Sequence, residues 1–286
     1  MVRGLVLSMR PAQWVKNLLV GAAPLAAGII LHADAALHTA LAFVAFCLAS
    51  SAVYCVNDVR DAEADRNHPA KCRRPVASGE LSPRAAVTAA VVLAAAALAI
   101  AAPNPLRVVI AVYLLLSLGY SFGLKREPVI ELAVVASGFL LRAIAGGPAN
   151  GVPLSQWFLI VAGFGSLFVV AGKRLSEQAR FGADVGRTRI VCTAYSPTYL
   201  RMVIGVSVAV SASAYGLWAF DVGASRSGVP WAAISILPFV IALLRYMRDV
   251  DAGAAHEPEQ ILLHDRTMQC LGALWLVAFS LSVLHG

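Results

Sequence analysis

Charge is scarce in this sequence. Only 14% of its 286 residues are charged, whereas soluble domains carry about a quarter. Apolar residues make up 59% of the chain, and the mean hydropathy is +0.74. These values exclude an ordinary soluble protein. They predict an all-α integral membrane protein formed by a single polytopic domain, residues 1–286.

Several chemical signatures are also missing. The five cysteines are odd in number and include no CxxC pair, so they predict neither a disulfide framework nor a zinc site. The six histidines show no metal-ligand spacing. No Walker A loop, dinucleotide fingerprint or Ser/His/Asp arrangement is evident. Any chemistry must therefore come from carboxylates and cations.

Long apolar runs recur along the whole chain. By length and hydropathy they predict about nine membrane helices. Our predicted spans are Gln13–Leu31, Thr39–Val56, Arg84–Ala102, Leu106–Leu124, Val129–Pro148, Ser155–Gly172, Thr198–Phe220, Pro230–Arg245 and Met268–Leu284.

The basic residues are distributed very unevenly between the two sides of the membrane. Of 23 Lys and Arg residues, Arg107 and Arg226 fall on one side and Arg142 falls within a helix, which leaves 20 on the other side. The positive-inside rule places that side in the cytoplasm. It predicts a multi-pass protein of the cell inner (plasma) membrane with a cytoplasmic N-terminus and an external C-terminus. The net charge of +7 then indicates anionic lipids and substrates rather than nucleic acid.

The most informative residues are Asn57, Asp58, Asp61 and Asp65, which follow directly on an apolar run. Carboxylates at the end of a membrane helix are costly unless they bind a positive group or lie in a wet cavity. Helical spacing places the three aspartates on one face, and Tyr54 lies one turn earlier. Oxygen ligands in this pattern suit Mg²⁺. The alternative is a set of solvated acids at an ordinary helix end.

Cations surround this acidic cluster in the sequence. Arg offers bidentate contacts to phosphate and Lys a point charge, although positive-inside enrichment alone would also explain many of them. The candidates for binding substrate phosphates are Lys16, Lys71, Arg73, Arg74, Lys125, Arg126, Arg142, Lys173 and Arg174.

Arg142 lies deep within its predicted helix, eleven residues after Glu131. Intramembrane charges are rare, and this one is too deep to reach the inner surface easily. It either pairs with a buried acid or reaches a bound anion, and we favour the anion.

Three segments resemble motifs of the UbiA-type intramembrane prenyltransferase superfamily, namely Asn57–Asp65, Arg74–Gly79 and Arg10–Asn17. The resemblance implies a UbiA-type helical bundle with an active site that opens to the cytoplasm. It also implies that the acidic motif binds Mg²⁺ bridged to a diphosphate. In that family a second aspartate-rich motif follows the sixth helix, but here Lys173 and Arg174 occupy that place.

The segments Tyr120–Leu132 and Ser137–Gly147 resemble a particular branch of this superfamily. Its members transfer 5-phosphoribose from 5-phosphoribosyl 1-diphosphate to decaprenyl phosphate, a step that feeds arabinan donor synthesis for the cell wall. Two anionic substrates would account for cations in place of the second acidic motif.

The resemblance implies a role for each part of the site. Asn57 and Asp61 would hold Mg²⁺ with Asp58 or Asp65 assisting, and Asp58, Asp61 and Asp65 would be the catalytic residues. Lys71, Arg73, Arg74, Lys125 and Arg126 would neutralise the diphosphate. Lys16, Tyr54, Arg142, Lys173 and Arg174 would orient the lipid phosphate or the ribose 5-phosphate.

Two alternatives stay open at this stage. One is a prenyl diphosphate-dependent prenyltransferase with an aromatic or haem acceptor, and the other is a transporter of an anionic metabolite. Membrane lipids are expected partners. The sequence leaves the oligomeric state open, a homo-oligomer included.

Overall fold

The computed structural model of the chain describes residues 2–68, 71–102, 104–181, 193–224, 229–255, 261 and 264–284. Regular structure within these ranges is helical, which confirms the all-α prediction. Seven of the described helices are long and apolar enough to cross a membrane, and Leu106–Phe122 is apolar but shorter. The chain is therefore a multi-span membrane protein, and the count of nine spans stays a prediction.

The described helices comprise both α-helices and 3₁₀ segments. In chain order they are α1 (Val2–Met9), a 3₁₀ helix (Pro11–Gly21), α2 (Ala22–Ala26), α3 (Ala33–Arg60), α4 (Ala62–Arg66), a 3₁₀ turn (Lys71–Arg73), α5 (Pro83–Ile100), α6 (Leu106–Phe122), a 3₁₀ turn (Leu124–Arg126), α7 (Ile130–Asn150), α8 (Gln156–Phe181), α9 (Pro197–Ala224), α10 (Trp231–Asp251) and α11 (Arg266–Leu284).

The helices are grouped into two compact units. The first comprises Met1–Pro24, Ile30–Lys125 and Leu141–Pro153, and the second comprises Leu25–Ile29, Arg126–Leu140 and Leu154–Gly286. The expectation of a single domain over the whole chain stays a prediction.

Helix α3 is the centre of the first unit, where it packs against α5, α6 and the first 3₁₀ helix. Its buried faces carry small residues, including Ala42, Ala45 and Ala49, all of which are fully buried. Small side chains let helix backbones approach closely in a membrane, where apolar burial against lipid supplies little drive. Phe46 packs against the ring of Tyr113, 5.3 Å away between centroids. This packing fixes the position of the C-terminal end of α3.

The first predicted span, Gln13–Leu31, is not one continuous α-helix. The chain instead forms the 3₁₀ helix Pro11–Gly21 and then the five-residue α2. Pro24 lacks the backbone N–H that a longer helix would use. Asn17 within the 3₁₀ helix is fully buried and donates from Nδ2 to Cys47 Sγ at 3.3 Å. The expectation of a simple apolar span was therefore wrong at this point.

Gly146 on α7 tests how closely α7 packs against the first 3₁₀ helix and α2. A Cβ built at Gly146 would overlap the carbonyl oxygen of Val20 and the ring of Pro24. We expect Gly146→Ala to lower the stability by about 1–3 kcal/mol, because backbone must shift to admit a methyl group. Thermal unfolding in detergent measures the effect. Gly205→Ala is the matched control, because a Cβ there meets no atom within 4 Å. Equal stability of the two variants would contradict the packing.

The second unit is built on α8, α9, α10 and α11. Phe168 on α8 and Tyr246 on α10 meet edge to face, with 5.2 Å between ring centroids. Val250 packs closely against Gly172. A Cβ at Gly172 would lie 2.7 Å from Val250 Cγ2. Helix α8 continues to Phe181, whereas the sequence predicted an end at Gly172. The predicted connection after the sixth span therefore begins as helix, and residues 182–192 lie outside the described ranges.

Candidate active site

The predicted acidic cluster lies where α3 ends. Asn57 and Asp58 belong to the last turn of α3, Asp61 is its C-cap residue, and Asp65 lies on α4. Backbone hydrogen bonds continue through the junction, from Asp61 N–H to Asn57 and from Asp65 N–H to Asp61. The helix nevertheless breaks at Asp61, where φ is −96° and ψ is 1°. The helix that carries the three aspartates is therefore interrupted at Asp61, although Asp58 and Asp65 both approach Arg74.

Asp58 is a buried anion held by cations. Its side chain is 1% exposed, and Arg10 donates from Nη2 to Oδ1 at 2.5 Å. The Nη1 atom of Arg74 lies 3.9 Å from the same oxygen. A buried carboxylate needs such partners, because an isolated charge there would be very costly. Asp58 thus orders the residues around it and is not itself open to a substrate.

Asp65 has a similar environment. Its side chain is 5% exposed and accepts a hydrogen bond from Arg74 Nη1 at 2.6 Å. Arg74 is 28% exposed and therefore links the buried acids to the surface of the first unit. The Arg-Pro segment identified in the sequence therefore lies against the acidic motif.

Asp61 differs from the other two acids. Its side chain is 34% exposed and pairs with Lys125 Nζ at 2.6 Å, and the Lys125 side chain is 30% exposed. One turn earlier, Asn57 Oδ1 accepts a hydrogen bond from the hydroxyl of Ser121 on α6. Asn57 and Asp61 are therefore the oxygen donors of this cluster that are best placed to receive a ligand.

These two donors suit an Mg²⁺ site that is completed by substrate phosphates and water. They do not form a closed site made only of protein ligands. Among the described residues, no group of three or more His, Cys, Asp or Glu side chains lies close enough to hold an ion. Mg²⁺ is typically bound through one or two carboxylates, with substrate phosphates and water completing its octahedron. Asn57 and Asp61 supply oxygen donors of that kind, and Lys125 supplies a cation beside them.

Arg10 is a site residue without a role predicted from the sequence. Its guanidinium lies 4.8 Å from the ring centroid of Tyr54, in addition to its contact with Asp58. Its backbone is in the left-handed region, with φ 53° and ψ 62°, directly before Pro11. This conformation is unfavourable for a non-glycine residue before proline, so the ion pair must offset the strain. The Arg10-Pro11 dipeptide was the signal that could have found it.

Four other predicted residues of the first unit are not among the contacts described above, namely Lys16, Lys71, Arg73 and Arg142. Lys16 Nζ donates to Gln13 Oε1 at 2.5 Å, and Lys71 and Arg73 form the 3₁₀ turn just before Arg74. Arg142 is 7% exposed.

Hydrogen bonds tie Arg142 to neutral side chains. It donates from Nε to Asn17 Oδ1 at 2.7 Å and from Nη2 to the Tyr113 hydroxyl at 2.9 Å. It also lies 4.7 Å from the Tyr113 ring centroid. These hydrogen bonds fasten α7 to the first 3₁₀ helix and to α6. The proposed anion contact of Arg142 stays a prediction.

Arg126, Lys173 and Arg174 belong to the second unit. Arg126 is exposed, and Lys173 is half-buried on α8. Arg174 is 2% exposed and bonds to acids: its Nε lies 2.9 Å from Glu131 Oε1, and its Nη1 lies 2.8 Å from Glu177 Oε2. This environment differs from the predicted phosphate ligand, because the guanidinium is buried against two carboxylates. These ion pairs favour a structural role for Arg174, and its predicted phosphate contact stays a prediction.

The described structure defines an all-helical membrane protein with a cluster of carboxylates and cations at the end of a bilayer-length helix. Comparison with known proteins identifies the family. The model of the UbiA prenyltransferase family matches residues 18–272, so the chain belongs to the UbiA prenyltransferase family.

Similar proteins share the whole length of the chain. The decaprenyl-phosphate phosphoribosyltransferase of Mycobacterium tuberculosis (strain CDC 1551 / Oshkosh) is 48% identical over 298 residues, covering 100% of this chain and 96% of that protein. The protein of the same name from Mycolicibacterium smegmatis is 46% identical, covering 96% of this chain and 91% of its own length.

A solved structure has the same fold. A UbiA homologue from Archaeoglobus fulgidus, bound to GPP and Mg²⁺, superposes with a TM-score of 0.74 over 99% of this chain and 100% of its own. The sequence identity is 18%, so this similarity establishes the fold alone.

Proposed function

We propose that this chain transfers 5-phosphoribose from 5-phosphoribosyl 1-diphosphate to decaprenyl phosphate, with release of diphosphate. The observation that carries the proposal is the 48% identity, over the full chain, to a decaprenyl-phosphate phosphoribosyltransferase. The cation-rich acidic cluster supports it, since both substrates are phosphorylated and one leaves as diphosphate.

In this proposal, Asn57 and Asp61 would hold Mg²⁺. When bound, the ion would supply charge stabilisation for a leaving diphosphate. Lys125 lies 2.6 Å from Asp61 and would supply the cation for a diphosphate oxygen beside that carboxylate. Asp58 and Asp65 hold Arg10 and Arg74 in place and act as positioning residues. Tyr54 supports Arg10 through its ring.

The transfer exchanges one bond for another at the anomeric carbon of the ribose. The bond to the diphosphate oxygen breaks and its electron pair leaves with the diphosphate, while an oxygen of the lipid phosphate forms the new bond. A phosphate monoester has a second pKa of about 6, so it is already ionised near neutral pH and requires no strong general base. Lys16, Lys71, Arg73, Arg126, Arg142 and Lys173 remain candidates for orienting the phosphate groups of the two substrates.

The direct test uses purified protein with labelled 5-phosphoribosyl 1-diphosphate and decaprenyl phosphate, with and without Mg²⁺. We expect a labelled lipid that forms only when the ion is present. Failure to form it would overturn the proposal. Product from a prenyl diphosphate and an aromatic acid would instead favour ordinary prenyl transfer.

We further propose that the protein lies in the cell inner (plasma) membrane with its N-terminus, and the site, on the cytoplasmic side. The charge distribution of the connections supports this orientation. An N-terminal epitope tag should be digested by protease in inverted vesicles and protected in intact spheroplasts. The opposite pattern would reverse the orientation.

Arg10 should control the affinity of the site for the metal. We expect Arg10→Met to raise the Mg²⁺ concentration for half-maximal activity about 10- to 100-fold, a typical cost of losing a residue that orients metal ligands. The reason is that Asp58, freed from Arg10, lets the turn bearing Asn57 and Asp61 move. Arg3→Met on α1 is the matched control, since Arg3 is exposed. Equal Mg²⁺ requirements in both variants would refute the role.

A further inference from the structure

The hydroxyl of Ser51 on α3 holds the N-terminal segment that carries Arg10. Ser51 is fully buried and donates to the backbone carbonyl oxygen of Met9 at 3.1 Å. The same hydroxyl accepts a hydrogen bond from Trp14 Nε1, also at 3.1 Å. The two bonds are compatible, because a serine hydroxyl has one proton to donate and lone pairs that accept. One side chain therefore binds the segment on both sides of Arg10.

The neighbouring Ser50 shows the more usual behaviour of a serine in a helix. It is also buried, but its hydroxyl donates to the carbonyl oxygen of Cys47 at 3.1 Å, three residues earlier in α3. The bonds of Ser51 instead reach across 42 residues to Met9 and across 37 residues to Trp14. Ser51 therefore satisfies the N-terminal segment, whereas Ser50 bonds to its own helix.

The segment meets one face of α3. Ser51, Tyr54 and Asp58 are separated by steps of three and four residues, which place them on the same side of the helix. The Arg10 guanidinium lies 4.8 Å from the ring centroid of Tyr54 and donates to Asp58 at 2.5 Å. Ser51 precedes Asp58 by seven residues, roughly 10 Å along the helix axis. This face therefore binds the backbone on either side of Arg10 at one end and the charged head of Arg10 at the other.

The backbone of Arg10 needs such a restraint. Its φ of 53° directly before Pro11 is unfavourable, and residues in conformations of this kind persist where the surrounding contacts hold them. Two backbone hydrogen bonds close the turn, from Arg10 N–H to Leu7 and from Gln13 N–H to Arg10. Both lie within the segment, so they shape the turn without fixing it to α3. The Ser51 hydroxyl supplies that fixation.

We infer that Ser51 is a positioning residue of the candidate active site and that it acts through Arg10. By binding Met9 and Trp14, Ser51 sets where the Arg10 guanidinium meets Asp58. Its effect on catalysis rests on the proposed function, in which Arg10 and Asp58 order the turn that bears the metal ligands. Because Ser51 is fully buried, it acts on the reaction through these contacts.

Three substitutions form the test set. Ser51→Ala removes one oxygen atom and with it both hydrogen bonds. Trp14→Phe removes the indole donor and keeps an aromatic ring, so it preserves the test if Ser51→Ala does not fold. Ser8→Ala is the matched control: Ser8 is equally buried and lies two residues before Arg10, but its hydroxyl has no hydrogen-bond partner among the residues that the structure describes.

Hydrogen exchange of the metal-free protein in detergent tests the placement of the segment without any reaction. In peptides that cover residues 5–14, we expect Ser51→Ala to exchange about three- to tenfold faster, the factor that corresponds to one lost hydrogen bond. Trp14→Phe should change exchange in the same direction by a smaller factor, and Ser8→Ala should match the unsubstituted protein. Equal exchange in all four proteins would overturn the inference.

A double-variant cycle distinguishes positioning of Arg10 from general stabilisation. We expect Ser51→Ala to raise the Mg²⁺ concentration for half-maximal activity about three- to tenfold. In the Arg10→Met background the same substitution should change that concentration by less than about twofold, because the residue that Ser51 positions is gone. If the two single effects multiply instead, Ser51 does not act through Arg10 and the inference is wrong.

The two measurements separate the inference from the proposed function. A protein whose hydrogen exchange responds to Ser51→Ala but which transfers no phosphoribose would overturn the proposed function and leave Ser51 as the residue that places Arg10. A protein that transfers phosphoribose with a Mg²⁺ requirement unchanged by Ser51→Ala would overturn the inference and leave the proposed function intact.

Discussion

Asp61→Asn should lower the turnover number at least about a hundredfold, the scale expected when charge stabilisation of a leaving group is lost. Asp61 is the partly exposed aspartate of the cluster, at 34%, and Asn57 lies one turn before it. An amide cannot supply the negative charge that holds Mg²⁺ against a diphosphate. Radiolabel transfer to decaprenyl phosphate at saturating Mg²⁺ measures the loss.

The fold should survive this substitution. The Asp61–Lys125 pair is about one-third exposed on both sides, and such pairs contribute only about 0–1 kcal/mol to stability. Asp34→Asn is the matched control, because Asp34 is exposed in the first turn of the same helix, α3. Full activity of Asp61→Asn, or a loss shared by Asp34→Asn, would remove the metal assignment.

Asp65→Asn gives the contrasting result that separates the two kinds of aspartate. Asp65 is buried against Arg74. Neutralising the Asp65 carboxylate therefore removes an ion-pair partner of the Arg74 guanidinium. We expect a lower unfolding temperature together with lower activity, whereas Asp61→Asn should lose activity alone. The difference follows from exposure, not from residue type.

Hydropathy predicted most of the fold because membrane helices need long apolar runs. The predicted span Arg84–Ala102 corresponds to helix Pro83–Ile100, and Pro230–Arg245 corresponds to Trp231–Asp251. The first span differs from the prediction because the buried polar residue Asn17 and the change from 3₁₀ helix to α-helix after Gly21 depend on tertiary packing. An average over hydropathy does not detect either.

The acidic part of the site was predictable because carboxylates beside an apolar run are conspicuous. The ion pairs that these carboxylates form were not predictable. Arg10 reaches Asp58 across 48 residues, and an arginine before a membrane helix resembles ordinary positive-inside enrichment. Arg174 was predicted to bind phosphate because it stands where the family's second acidic motif is expected, and that pattern gave no sign of its ion pair with Glu131, which lies 43 residues earlier. Local spacing carries no information about such contacts.

Breaking the Glu131–Arg174 pair should cost the most stability. Glu131 is fully buried and Arg174 is 2% exposed, and removing one partner of a buried pair typically costs about 3–5 kcal/mol. We therefore expect Arg174→Met to lower the unfolding temperature sharply in detergent. Arg201→Met is the matched control, because Arg201 pairs with Asp251 at the surface, where the two side chains are 59% and 69% exposed.

The double variant Glu131→Leu/Arg174→Met should recover most of the lost stability, because it removes the stranded buried charge and fills the same space with apolar groups. It also decides between the two roles of Arg174. If Arg174 is structural, the stable double variant should transfer phosphoribose with near-normal KM for both substrates. If Arg174 binds a phosphate, the double variant would be folded but show a raised KM for one of them. A double variant as unstable as Arg174→Met alone would contradict the ion pair as the source of the effect.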